Sequence, residues 1–283
     1  MDAPINRPPS RSLFDPSISI KEQAITDCND PAVQLLNLRR IQSSWYQAVF
    51  QSNHECLVEP WQNRCGALSE MHRWTARVPS STPTAVKNLL VSELSFSSIL
   101  LLRPPGTHNS VCSYGKALLF DYAAKFAEAT FDMCSLSQTY NYSTSHDILR
   151  TLFVGQTLIH LLQESPMLAF NVTPPNPPPV PAGFAAPPGL QRRGFQDHVD
   201  HAITAITRLD QIVDNLGRRF GFPPSCNKYK YDSTATLQAL YTRRQQQDMQ
   251  LLTQSQGAYI DSAVPSIVPY RDAHGSARGY LPS

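Results

Sequence analysis

Three groupings in this chain have residue types and spacings that could do chemistry. The segment DHVDH sets Asp197 and His201 one helical turn apart, with His198 three residues before His201. That is the spacing with which one helix face presents ligands to a divalent metal. An acid on the first turn of a helix also faces the positive end of its dipole, and beside the apolar Val199 the segment reads as a solvated first turn. His54, Cys56, Cys65 and His72 are zinc-ligand types, but their spacing matches no structural-zinc pattern, so they read as scattered core or surface positions. Trp45, Trp61, Trp74, Tyr122, Phe126 and Met133 could line a cavity for an apolar effector between helices. The same residues are what an ordinary helical core requires, and core packing is the expectation.

Signatures that would announce a reaction are missing. The sequence holds no GxSxG turn, no glycine-rich phosphate loop, no GxGxxG and no DDxxD-like acidic run. The sequence therefore assigns no catalytic, cofactor-binding or metal residue, and it implies no cofactor.

Composition narrows the classes further. In 283 residues only 16% are charged, and the formal net charge is +2. Autonomous nucleic-acid binding usually comes with a clustered basic face and a pI above about 9; here the pI is about 8.2. The pairs Arg39/Arg40, Arg192/Arg193, Arg218/Arg219 and Arg243/Arg244 are dispersed among acids and read as solvated helix faces. Neither FSSILLL nor LIHLL approaches the roughly 18 apolar residues a bilayer span needs, so no membrane span is expected. The opening MDAPINRPPSRSLFDPS lacks the basic-then-apolar order of a secretory signal. An intracellular chain is expected, with its six cysteines as free thiols.

The elements that would position these residues are helices. Asp30 and Pro31 suit an N-cap and first helical position, and Leu38, Ile41 and Trp45 then recur at helical spacing. A second helix follows Pro60, with Trp61, Cys65, Leu68 and Met71 on one side. A third, opened by Thr82 and Pro83, carries Val86, Leu90, Leu94 and Leu101 and stops at RPPG, because Pro104 disfavours helical geometry at Arg103. Arg103 is expected to bond the last free carbonyls of that helix. A fourth runs through Leu118, Tyr122, Phe126, Ala129 and Met133; a fifth, capped by Thr144 or Ser145, runs through Ile148, Leu152, Gly155, Ile159 and Leu162. Prolines then crowd residues 166–188, which reads as an extended linker. Beyond it Val199, Ala202, Ile206, Leu209, Val213, Leu216 and Phe220 form the most regular seam in the chain, ended by Gly221, Pro223 and Pro224. A last helix is expected from Asp232 or Ser233.

The expected architecture is all-α, a bundle or array of about seven helices with a Pro-rich linker and disordered termini. Its parts are a tail over 1–25, a first helical part over 26–164, the linker over 165–194, a last helical part over 195–253 and a tail over 254–283.

The segments LNLRRIQSSWYQAVF, LLVSELSFSSILLLRPP, ALLFDYAAKFAEATFDM and LFVGQTLIHLL, in this order, resemble the carboxy-terminal half of the fungal-specific transcription factor domain. That domain is the all-helical regulatory region of zinc binuclear cluster factors. The residues that match are Leu38 to Ser43, Leu102 to Pro104, Ala117 to Ala124, and Phe153 with Gly155; AITAITRLDQIVDNLGRRFG resembles a late helix of the same family. Phe96 and Leu102 stand where the family often has tyrosine, and both keep the face apolar. The family's six-cysteine zinc cluster does not occur in these residues.

The resemblance implies a transcription-regulatory protein in the nucleus, modulating metabolic or secondary-metabolite genes. It implies a protein partner, either transcription machinery or a full-length zinc-cluster factor, and allows a small-molecule effector. It further implies no sequence-specific DNA binding by this chain itself and no membrane partner. An all-helical enzyme or accessory protein of a fungal biosynthetic pathway, and a truncated non-functional fragment, stand as alternatives.

Overall fold

A computed structural model describes residues 30–50, 61–103, 111–135, 143–169, 174–179, 186–190 and 195–263. The fold is all-α. Among the described residues seven α-helices follow one another: α1 (Pro31–Phe50), α2 (Trp61–Thr75), α3 (Thr84–Leu102), α4 (Ser113–Ser135), α5 (Ser145–Glu164), α6 (Phe195–Phe220) and α7 (Ser225–Ala263), with a 3₁₀ turn at Pro166–Ala169. No strand occurs among the described residues. The tail expected over 1–25 lies outside them; of the tail expected over 254–283, residues 254–263 belong to α7 and the rest lies outside them.

The chain divides into two compact units at Leu240. In the first, α3 lies along α4, and α6 packs against both α4 and α5. The core joins Leu38 of α1, Leu68 and Trp74 of α2, Leu94 and Ile99 of α3, Leu119 and Phe126 of α4, Leu152 and Leu158 of α5, and Ile206 and Leu209 of α6. Most are the stripe positions that helical periodicity singles out, because a helix can hide only one face from water. α6 hides more than its seam: Ile203, Ala205 and Ile212 are buried beside Val199, Ala202 and Val213. Phe220, the seam's last member, is 38% exposed, so the buried stripe ends one turn earlier.

α3 corrects the reading that no segment is long and apolar enough to cross a membrane. By length and composition it is. Its packing is that of a soluble core helix: Ser92, Ser95, Ser97, Ser98 and Glu93 are all buried together with its leucines. Its start is also shifted. Pro83 is the N-cap, with Thr84 the first helical residue, and no side chain caps it, so Thr82 does not play the capping role expected of it. At the other end Arg103 leaves helical geometry at φ −135°, ψ 77°, as a residue before proline must. The guanidinium that reaches the last turn belongs to Arg64 of α2, which donates to the Leu102 carbonyl at 3.3 Å. α5 opens as expected at Thr144, whose N–H donates to the Asp147 carboxylate at 2.6 Å.

α7 differs most from its sequence reading. It begins at Ser225 rather than near 232 and continues to Ala263, well past 253. The first turns were hidden because the buried face there runs Cys226, Tyr229, Ser233, Thr236, Leu240, in which two of five residues are small and polar. Before it, Gly221 adopts φ +91°, a left-handed conformation that favours glycine, and its N–H donates to the Gly217 carbonyl at 2.9 Å. The Phe222 ring folds back onto Gly217, where a Cβ would overlap it. In the second unit, residues 241–246 of α7 are all exposed.

Residues 168–169 and 186–190 of the Pro-rich segment are seated on the helices of the first unit. Ala169 and Pro188 are buried, Leu168 and Leu190 pack on the core, and the Tyr114 hydroxyl of α4 donates to the Pro188 carbonyl. The Ser69 hydroxyl of α2 likewise donates to the Ala186 carbonyl.

Candidate functional site

A side-chain network that joins three helices centres on Glu93. Its carboxylate is 5% exposed in the middle of α3, where an acid is tolerated only with charged partners. Arg39 of α1 donates to Oε2 at 2.7 Å, and Arg150 of α5 donates to Oε1 at 2.5 Å. Arg150 also lies 4.3 Å above the Phe96 ring and 3.4 Å from Asp147. Gln42 of α1 accepts from Arg39 at 2.7 Å and donates to the Ser97 hydroxyl of α3. This arrangement holds α1, α3 and α5 in one register. Reading by pattern missed it, although a lone glutamate inside an otherwise apolar helix was its visible signal.

A second polar contact joins α2 to α4. His72 Nε2 lies 2.8 Å from the Tyr122 hydroxyl. Burial, reinforced by the Lys125 ammonium, holds the His72 pKa below the usual imidazole value, and burial raises that of Tyr122. The pair is therefore neutral in the folded protein.

The third arrangement lies between α6 and α7. The Tyr229 ring, fully buried, packs against Gly155 of α5 so closely that a Cβ there would overlap it. Asp210 accepts from Ser233 at 3.1 Å through Oδ2, while its buried Oδ1 and the buried Tyr229 hydroxyl near it make no hydrogen bond of normal geometry. Burial raises both pKa values, and for Tyr229 the Asp210 charge adds to the rise.

Beside these lies an open groove of about 260 Å³ between the end of α2, the following turn and the first half of α3. Trp74, Val78, Pro79, Leu90 and Val91 make its apolar wall, and Thr75, Ser80 and Lys87 complete it. The Trp74 indole N–H donates to the Gln34 carbonyl at 2.8 Å, so the ring turns hydrocarbon rather than a donor to the groove.

The candidate residues singled out in sequence are mostly dispersed. His198 and His201, both half-buried, lie beside the Phe120 ring of α4, with centroids 6.5 and 5.8 Å away. Asp197 and Trp45 are described only as helical positions. Cys65 is buried, and burial pushes its thiol pKa up to about 11. His72 is committed to Tyr122; His54 and Cys56 lie outside the described residues. Among the described residues no group of three or more His, Cys, Asp or Glu side chains is gathered as a metal would need. Of the aromatic and methionine set, Trp74 lines the groove, Tyr122 and Phe126 sit in the core and Met133 is half-buried, while Trp61, like Trp45, is described only as a helical position.

No protein-family model, no characterised protein and no solved structure matches the chain.

Proposed function

We propose that the chain is a transcription-regulatory protein of the fungal zinc-cluster factor type, acting in the nucleus through protein or effector binding. Two of the segments that carry the resemblance meet in space, and that observation supports the reading best. Arg39 and Gln42, from the leucine-arginine-arginine-isoleucine-glutamine-serine stretch, contact Glu93 and Ser97 of the SELSFSS stretch. Residues more than fifty positions apart are thus bound as one unit, which gives both motifs a shared physical reason. The helical body is a regulatory surface that reaches its genes through another protein, with metabolic or secondary-metabolite genes as its targets.

The test is a tethering experiment. The whole chain is fused to a heterologous DNA-binding domain in a fungal host, with a reporter carrying that domain's sites. Reporter output that rises or falls several-fold relative to the DNA-binding domain alone is the expected result. Output identical to that control, with the fusion folded and nuclear, overturns the reading.

A further inference from the structure

The groove beside Trp74 has a chemical character that selects its occupant. Its wall is hydrocarbon from Trp74, Val78, Pro79, Leu90 and Val91. The polar atoms nearest that wall are already engaged within the protein: the Trp74 N–H with Gln34, and the Thr75 hydroxyl with the Met71 carbonyl at 3.1 Å. Capacity is left at the exposed Ser80 hydroxyl and at the ammonium of Lys87, the one cation in the lining. The Lys87 ammonium donates to the Ser80 carbonyl at 2.6 Å, which uses one of its three N–H donors. Its neighbours at helical spacing, Pro83, Thr84, Leu90 and Val91, include no acid, and among the described residues no carboxylate lies within ion-pair distance of it.

An apolar trough with a single cationic donor at its rim is complementary to a small molecule that is apolar along its length and anionic at one end. We infer that this groove binds a small apolar carboxylic acid, its hydrocarbon part against Trp74 and Leu90 and its carboxylate on Lys87. A volume of about 260 Å³ falls just below the range of about 300–1,000 Å³ typical of ligand sites, which sets a compact ligand. The opposite charge is disfavoured, because an ammonium would sit beside Lys87. The inference names the effector class for the regulatory reading and rests on that reading for its consequence in the cell; binding itself is measurable without it.

The experiment titrates the full chain with 4-phenylbutanoate, 4-phenylbutanol and 4-phenylbutylammonium, following calorimetry and the Trp74 indole N–H resonance, assigned with Trp74→Phe. Saturable binding in the order acid, alcohol, ammonium is expected. Lys87→Met weakens the acid about tenfold or more and leaves the alcohol unchanged, since a charge-assisted hydrogen bond is lost. Val91→Trp, which fills the trough, abolishes binding of all three, with the circular dichroism spectrum unchanged as the check on folding. The inference is overturned by equal affinity for the three probes, by no saturable binding, by an unchanged acid affinity in Lys87→Met, or by binding that survives a folded Val91→Trp. A tethered reporter that responds in the Lys87→Met chain as in the parent separates this failure from failure of the regulatory reading.

Discussion

Among single residues, Asp210 and Glu93 show opposite ways of placing a carboxylate inside a helical protein. Glu93 has two arginines; Asp210 has the Ser233 hydroxyl on one oxygen and the Tyr229 hydroxyl beside it, in a buried site whose desolvation outweighs them. Removing the charge should therefore have opposite signs. Glu93→Gln leaves Arg39 without its counter-charge and Arg150 with Asp147 in place of two carboxylates, and is expected to cost about 3 kcal/mol, read as a lower midpoint in urea. Asp210→Asn should raise stability near neutral pH. Because the folded pKa of Asp210 lies above its unfolded value, the folded state binds more protons between the two, and stability falls as pH rises through that window. The gain from Asp210→Asn should thus be largest above the folded pKa and vanish toward pH 4. His72 works the other way: its pKa is held low, so stability is lost as pH falls below the ordinary imidazole value. Comparing mutant with parent at each pH cancels the His72 contribution. A melting-temperature difference that stays flat from pH 4 to 8 would contradict the Asp210 assignment.

Between helices, a strict fit joins Gly155 of α5 and Tyr229 of α7. Gly155→Ala should destabilise by about 1–3 kcal/mol, the usual range for overpacking a filled core, and Tyr229→Leu in the same chain should recover much of that loss. Equal stability of Gly155→Ala and the parent, measured by denaturant titration, would mean the ring has another place to go. Gly155 and Tyr229 also mark the limit of what pattern can reveal. Periodicity located Leu38, Leu94, Leu152 and Leu209 because burial of large apolar groups repeats with the helical turn. It could not locate the start of α7, whose buried face uses Ser233 and Thr236, nor the partners of Glu93, which come from helices distant in sequence. The groove was legible only through Trp74, because its other walls are ordinary aliphatic residues brought together by the turn between α2 and α3.

For the molecule, the decisive fact is that helices on both sides of the Pro-rich segment share one core. α6 packs on α4 and α5, and Ala186 and Pro188 are bonded to α2 and α4. A chain carrying an engineered protease site within 180–185 and cut there should elute as one species from gel filtration in buffer. It should separate into two only in denaturant. Separation without denaturant would show that the two parts do not hold each other.

That anchoring has a consequence for how the chain can vary. With Ala169 and Ala186 both fixed, the chain between them joins two set points, and lengthening such a connection costs only in proportion to the logarithm of its length, about 0.6 kcal/mol per doubling. This interval is the place where evolution or an engineer can splice in foreign sequence, even a whole guest domain, while the host keeps its interior.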